Sequence, residues 1–235
     1  MMRHGVFDGL ILGLPREFQP LIDGLREGRQ LGGVEEEIRD ELGGLSEGWL
    51  YRNRSILEAI SELASPIPRL VCTGDLGEEK QILEDKMTIS LLEYRGMAGG
   101  TDAARWRELL GPMGRSLKRS VEKQLPLVLT EIRGGGHWLW VSGIHTREAA
   151  SSLVRDGHSC RVVLLGKPYV GTPLEALQAE FAEGNPTDER VLYLVERHIE
   201  FLRDYVIPSL DLDEAYDRWL ADEKWAGLYH LHDRD

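Results

Sequence analysis

The sequence predicts an α/β protein with a mostly parallel sheet, helices on both faces of that sheet and a helical C-terminal segment. Apolar runs of strand length alternate along the chain with segments whose apolar residues recur at helical spacing. Residues 138–166 have the pattern of a strand, a helix and a second strand, and such a unit joins parallel strands by a right-handed crossover. We expect about four to five strands. Residues 1–173 are predicted to form the α/β domain, on which residues 174–235 pack as the helical segment.

The first part of the chain contains two predicted strands separated by helices. Val6–Leu14 is an apolar run typical of a strand, and Pro15 can open the helix that follows. Further along, the pattern predicts helices over Val34–Leu42 and Leu50–Leu63, then a strand over Arg69–Cys72. The turn Thr73-Gly74-Asp75 ends this strand.

The middle and C-terminal parts are mainly helical apart from the strand–helix–strand unit. Helices are predicted over Glu78–Tyr94, Ala103–Leu110, Met113–Gln124, Glu148–Arg155 and about Asp213–Trp225, and from an N-cap at Thr187 to Pro208. Pro126–Glu131 fits either a strand or a helix end. The two strands of the unit are predicted over Trp138–Ser142 and Arg161–Leu165.

The charge balance limits the classes of partner. The formal net charge is −12, which disfavours binding to nucleic acid or to an anionic membrane surface because both need clustered basic residues. The sequence also has no apolar run long enough to span a bilayer. We therefore expect an acidic protein whose partner is a small molecule or a peptide.

Cysteine usage indicates a reducing compartment. Cys72 and Cys160 are the two cysteines, and they lie in the strand-like stretches LVCTG and SCRVV. Two buried thiols are more plausible there than a disulfide framework, which needs more cysteines in a smaller chain. The sequence therefore predicts a cytoplasmic protein.

The carboxyl ends of the predicted strands are the expected location of a functional site. His145 follows a strand and opens a helix, and Asp75 follows another strand. Ligands of open parallel sheets bind outside the carboxyl ends of strands, so His145 and Asp75 are the candidate catalytic residues. The alternatives are a histidine that only caps its helix, and an aspartate that forms an Asx turn or an N-cap.

Four further residues are candidates for ligand binding at the same edge. Arg16, Glu17 and Gln19 follow the first strand, and Arg147 follows His145 at a helix N-terminus, where an anion can bind. Each of them can equally be a solvated residue of a first helical turn.

Known metal and phosphate motifs are absent from the sequence. It contains no HExxH, no CxxC, no GxxxxGK[ST] and no GxGxxG. His198 lies on the apolar stripe of its helix, where a histidine is more often a hydrogen-bonded core residue than a ligand.

Two segments resemble the ChaN-like and TraB/Tiki/erythromycin-esterase superfamily. VSGIHTREAASSLVRDGHSCRVVLL is similar to its strand–GxxH–helix–strand block, although Gly143 and His145 are one residue closer together than in GxxH. LPREFQPLID is similar to the PRxxQxxxD helix start, with Pro15, Arg16, Gln19 and Asp23 at the matching positions. The family's first GE-x-H motif has no counterpart here.

The resemblance implies one of two functions. One is a hydrolase of the TraB/Tiki type that acts on a small molecule or peptide, with His145 at the carboxyl edge of the sheet. The alternative is a non-catalytic protein of the same fold that binds haem or a small molecule, or that regulates a partner. A divalent metal or haem is a possible cofactor in either case. Trp219, Trp225 and Tyr229 fit either a homodimer interface or the core.

Overall fold

The computed structural model describes residues 7–62, 69–141, 146–163 and 170–222. Three strands form one parallel sheet in the order β2-β1-β3, with β1 at Gly9–Pro15, β2 at Leu70–Gly74 and β3 at Trp138–Val141. This confirms the predicted α/β class and the parallel sheet. Because all three strands run the same way, their carboxyl ends lie at one edge.

The sheet has fewer strands among the described residues than the predicted four to five. Arg161–Val163, the start of the last predicted strand, has no regular structure, and residues 164–165 are outside the described part of the chain. Val162 and Val163 are 38% and 62% exposed. β-branched residues favour a strand only where they pack on a half-buried surface, and this packing is missing here.

Helices make up most of the remaining described chain. They are α1 Gln19–Arg26, α2 Leu31–Leu42, α3 Ser46–Ser61, α4 Leu76–Met97, α5 Ala103–Ile132, α6 Thr146–Arg155, α7 Pro173–Glu183, α8 Asp188–Phe201 and α9 Leu212–Ala221, with 3₁₀ turns at Arg16–Phe18 and Gly43–Leu45 and a π-helical turn at Leu202–Val206. Pro15 therefore ends β1 and precedes a 3₁₀ turn, and α1 begins only at Gln19.

Helix α5 is continuous where the sequence predicts two helices and an ambiguous segment. Pro112 and Pro126 both lie within it. Each proline removes one backbone hydrogen bond, which usually ends a helix. Here Leu110, Met113 and Val128 are buried on either side of the prolines, and this packing offsets the lost bonds.

The chain divides into two compact units. The first is Met1–Glu84 with Arg119–Val162, and the second is Asp85–Lys118 with Val163–Asp235. Both boundaries in the middle of the chain fall within helices, α4 and α5. The sequence pattern predicts one boundary, near residue 174. The two units differ from this prediction because each combines segments that are far apart in the chain, and a sequence pattern does not show which distant segments share a core.

The sheet of the first unit has an apolar cluster on each face. Leu10, Leu12 and Leu14 of β1 belong to a cluster with buried residues of α1, α2 and α3. Ile11 belongs to a second cluster with Val128 of α5 and Leu153 of α6. Side chains alternate between the faces of a strand, so helices cover both sides of β1, as predicted.

The carboxyl end of β1 contains a bulge. Leu12 pairs with Cys72 and Pro15 pairs with Gly74, so β1 has one residue more than β2 between these pairs. A Cβ atom on Gly74 would lie 2.5 Å from the carbonyl oxygen of Gly13. The close approach of the two strands at this edge therefore requires glycine.

The second unit has its own helical core. Val191, Leu194, Val195 and Ile199 of α8 are buried in it. The predicted N-cap is confirmed, because the Thr187 side chain accepts a hydrogen bond from the Arg190 N–H.

The structure also bears on the predictions for the cysteines, for the C-terminal aromatic residues and for membrane-spanning helices. Cys72 is buried as predicted, but Cys160 is exposed, since the described residues around it, up to Val163, form no strand. Trp219 is 3% exposed and belongs to the core of the second unit, whereas Trp225 and Tyr229 lie outside the described residues. Within the described residues, every helix is too short or too polar to cross a membrane.

Candidate functional site at the carboxyl edge of the sheet

A cleft of about 320 Å³ lies at the carboxyl edge of the sheet in the first unit. It is lined by the end of β2, the first turn of α4, the 3₁₀ turn after β1 and one face of α5. The lining residues are Arg16, Thr73, Asp75, Glu78, Ser120, Lys123, Gln124, Pro126 and Leu127. This is the position at which open parallel sheets bind ligands, and the volume is at the small end of the range for ligand pockets.

Asp75 lies in the cleft directly after β2. Its Oδ1 accepts a hydrogen bond from the Glu78 N–H at 2.9 Å. Asp75 therefore caps the N-terminus of α4, which was the alternative to a catalytic role in the sequence prediction. Its Oδ2 is 3.9 Å from the guanidinium of Arg16. Asp75 thus both caps the helix and faces a cation.

Arg16 has unused hydrogen-bonding capacity. Its side chain is 52% exposed. Among the described residues, its guanidinium has only this long ion pair with Asp75 and donates no hydrogen bond. An arginine guanidinium has five N–H donors, so Arg16 can donate hydrogen bonds to a ligand in the cleft that it lines.

Glu17 acts on the same helix terminus as Asp75. Its Oε2 accepts a hydrogen bond from the Leu76 N–H at 3.2 Å. Two carboxylates therefore already occupy the N-terminus of α4, where the helix dipole favours negative charge. A ligand anion would have to compete with them at that terminus.

The side-chain amide of Gln19 forms hydrogen bonds with the backbone of β2. Its Oε1 accepts a hydrogen bond from the Cys72 N–H at 2.7 Å, and its Nε2 donates to the Leu70 carbonyl at 3.0 Å and to Asp23. The amide thus pairs with the backbone of β2, and it is not among the residues that line the cleft.

The remaining predicted site residues lie mainly outside the described structure. His145 is not among the described residues, and of Arg147 only the backbone position within α6 is described. A Cβ atom on Gly13 would lie 4.0 Å from both Gln124 Oε1 and the Val141 carbonyl oxygen. The end of β3, which precedes His145 in the chain, is therefore close to the cleft.

Lys123 and Glu78 form an ion pair across the cleft, between α5 and the first turn of α4. The hydrogen bond to Glu78 is the main cause that raises the pKa of Lys123 above its ordinary value. Lys123 is therefore a permanent cation at neutral pH. It cannot serve as a general base for Ser120, its neighbour on the helix.

Thr73 connects the sheet to the polar face of α5. Its side-chain oxygen lies 3.1 Å from the Leu12 carbonyl and 3.3 Å from Gln124 Oε1, and Gln124 Nε2 donates to Ser120 at 3.2 Å. A hydroxyl has one proton and can donate to only one of the two acceptors. If it serves the buried Leu12 carbonyl, Gln124 Oε1 is left to accept from another donor.

Helix α5 lines the cleft with residues that were not among the predicted site residues. Ser120, Lys123, Gln124 and Leu127 recur at spacings of three and four, so they share one helix face. This polar face was a usable signal. It was missed because the segment was divided into a helix and an ambiguous run, and its position over the sheet was unknown.

Over the described ranges, no group of three His, Cys, Asp or Glu side chains could hold a metal ion. His198 is buried in the second unit, where its Nε2 lies 2.7 Å from Glu93 Oε1. It is a hydrogen-bonded core histidine, as its helical position indicated.

Comparisons of the chain with protein-family models, with curated proteins and with solved structures found no match.

Proposed function

We propose that this protein binds a small polar molecule in the cleft at the carboxyl edge of its parallel sheet. The observation that supports this most directly is the composition of the cleft. It places Arg16, whose donors are mostly unused, beside the polar side chains of Thr73, Gln124 and Ser120. A volume of about 320 Å³ equals about ten water molecules at ~30 Å³ each, which suits a metabolite of modest size.

Binding accounts for the described chemistry better than catalysis does. Lys123 is held as a cation by Glu78, and one oxygen of Asp75 is used as a helix cap. Burial, the largest cause, raises the pKa of the Cys72 thiol to about 12, so it is not a nucleophile at neutral pH. Activated nucleophiles need an adjacent base or a lowered pKa, and the described residues of the cleft offer neither.

The test uses a variant that fills the cleft and a matched control. Gly13→Leu adds a side chain towards Gln124 without a backbone clash, since the nearest atoms are 4.0 Å from its Cβ. Gly33→Leu adds the same side chain on α2, where nothing lies within 4 Å. Amide chemical shifts are recorded with a panel of amino acids, dicarboxylates, sugars and nucleosides at millimolar concentration.

We expect at least one class of compound to shift resonances of Thr73, Gln124 and their neighbours in the wild type and in Gly33→Leu, but not in Gly13→Leu. If no compound in the panel shifts these resonances, the proposal is wrong.

A second candidate is hydrolysis at the same edge by His145 and Asp75, in the manner of the TraB/Tiki-like proteins that the sequence resembles. The closeness of Val141 to the cleft supports it, because His145 follows β3. The test is turnover of chromogenic esters and anilides by wild type, His145→Ala and Asp75→Asn, with His137→Ala as control. Asparagine preserves the cap and removes the charge. Turnover that survives both substitutions would exclude this mechanism.

We propose further that the protein acts in the cytoplasm. The support is the pair of free thiols, Cys72 and Cys160, and in particular the exposed Cys160. Exposed thiols persist in reducing compartments. Fractionation of the source cells, with a tag at either end of the chain, tests this location.

A further inference from the structure

We infer that the ligand of the cleft is a small zwitterion with a carboxylate and an ammonium group, of the size of a free amino acid. This inference rests on the proposed function and names its ligand class.

The charges of the four charged side chains that line the described part of the cleft balance one another. Arg16 and Lys123 are cations, whereas Asp75 and Glu78 are anions. Lys123 and Glu78 are already joined in a direct ion pair. A ligand of large net charge would therefore disturb the balance, while a zwitterion preserves it.

The pair that remains, Arg16 and Asp75, is loosely associated. Their closest charged atoms are 3.9 Å apart, and no hydrogen bond joins them. Planar guanidinium groups bind carboxylates through two parallel hydrogen bonds. A ligand carboxylate can bind Arg16 in this way without breaking an existing hydrogen bond of the described residues.

The hydrogen-bond acceptors of the cleft, in contrast to Arg16, need a donor. Gln124 Oε1 shares the single proton of Thr73 with the Leu12 carbonyl. The carboxylate of Asp75 has lone pairs beyond the one used by the Glu78 N–H. Both accept hydrogen bonds from an ammonium group, so the cleft offers donors to one end of a zwitterion and acceptors to the other.

A simple anion is a poorer match for this cleft. The nearest helix N-terminus, that of α4, already receives the carboxylates of Glu17 and Asp75. A phosphate or sulfate would lie beside them and meet their repulsion. Sulfate, which has no proton to donate at neutral pH, would also give no hydrogen bond to Gln124 Oε1 or to the remaining lone pairs of Asp75.

The experiment compares three forms of each ligand by isothermal titration calorimetry. Each of the common free amino acids is titrated into the wild-type chain, followed by the N-acetyl derivative and the amide of any that binds. The N-acetyl form lacks the ammonium and the amide lacks the carboxylate. Inorganic phosphate is the anion probe. We expect at least one free amino acid to bind, and both blocked forms to bind at least tenfold more weakly.

Matched variants locate the binding. Arg16→Gln removes the guanidinium of the cleft. Arg105→Gln is the control, because Arg105 is 57% exposed and has a similarly loose ion pair, 3.6 Å from Asp102. We expect at least a tenfold loss of affinity in Arg16→Gln and no change in Arg105→Gln, with unchanged melting temperatures in both.

The outcomes separate this inference from the proposed function. Binding of phosphate, a sugar or a nucleoside that depends on the cleft, with no amino acid bound, would overturn the zwitterion assignment and leave the binding function standing. Equal binding of the free and blocked amino acids would also overturn the assignment. If no compound of either panel bound, both proposals would be wrong.

Discussion

The side-chain amide of Gln19 bonds to β2 as a neighbouring strand would, with its Oε1 accepting a hydrogen bond of 2.7 Å from the N–H of Cys72. On the same side of the strand, its Nε2 donates to the Leu70 carbonyl at 3.0 Å. β2 is an edge strand of the sheet, and unpaired edges are sites of unwanted association. Gln19 therefore satisfies and closes a part of this edge.

Loss of the Gln19 amide should destabilise the protein. We expect Gln19→Ala to lower the free energy of unfolding by about 2–4 kcal/mol, because it leaves two backbone groups of β2 without partners. Urea denaturation measures the change. Gln30→Ala, at an exposed residue just before α2, should change the free energy by less than about 0.5 kcal/mol. Equal effects of the two substitutions would show that the amide of Gln19 does not support the strand.

The buried thiol of Cys72 should make stability depend on alkaline pH. The pKa of Cys72 is raised from 9.0 to about 12, mainly because the thiol is buried. Between these values the unfolded chain loses the thiol proton and the folded chain keeps it, so stability is complete below pH 9 and falls as the pH rises towards 12. The slope should approach about 1.4 kcal/mol per pH unit.

Comparison with a variant isolates the contribution of this thiol. Cys72→Ala should lose this part of the pH dependence while retaining the contributions of Tyr216, Lys123 and Cys160, whose pKa values are also raised. The measurement is the urea unfolding free energy of both proteins from pH 8 to pH 11. Parallel curves for the two proteins would contradict the assignment.

Gly74 should not tolerate a side chain. A Cβ atom there would lie 2.5 Å from the Gly13 carbonyl oxygen and 2.9 Å from Leu14. Since both contacts are to backbone, β1 and β2 would have to separate at the edge that forms the cleft. We expect Gly74→Ala to cost about 2 kcal/mol or more in a thermal or urea unfolding experiment.

Gly33→Ala is the matched control for that substitution. Gly33 lies within α2, and a Cβ atom there meets nothing within 4 Å. Alanine is favoured over glycine in a helix interior, so this variant should gain about 0.5–1 kcal/mol. A neutral effect of Gly74→Ala would mean that the strands can separate without cost.

Tyr216 should anchor the start of the last described segment within the second unit. Its hydroxyl donates to the Val170 carbonyl at 2.7 Å and accepts from the Val170 N–H at 2.6 Å. We expect Tyr216→Phe to cost about 1–3 kcal/mol and to increase amide exchange at Val170. Tyr94→Phe, at a tyrosine that is 72% exposed, is the control and should leave both measurements unchanged. Unaltered exchange at Val170 in Tyr216→Phe would argue against the anchor.

Local patterns in the sequence were sufficient for most of the individual elements. The apolar run before Pro15 predicts β1, because its side chains alternate between two covered faces of the sheet. The hydroxyl of Thr187 followed by Asp188 and Glu189 predicts the start of α8, because capping involves only residues next to one another. Asp75 as an N-cap follows from the same local chemistry.

Other features depended on contacts between distant parts of the chain. Whether α5 continues through Pro126 was decided by the burial of Val128 against Ile11, which no local pattern reveals. Cys160 is exposed because the strand predicted around it has no packing partner among the described residues.

The cleft shows the same division. The sequence by itself indicated β1, β2 and β3 and a mostly parallel sheet, and therefore the edge at which Arg16 and Asp75 lie, since hydrophobic periodicity is a local property. Only the tertiary structure brought Ser120, Lys123 and Gln124 of α5 to that edge, and only it assigned Gln19 to β2. The physical reason is that helix packing and side-chain hydrogen bonds between distant residues depend on three-dimensional distance, which a linear pattern does not contain.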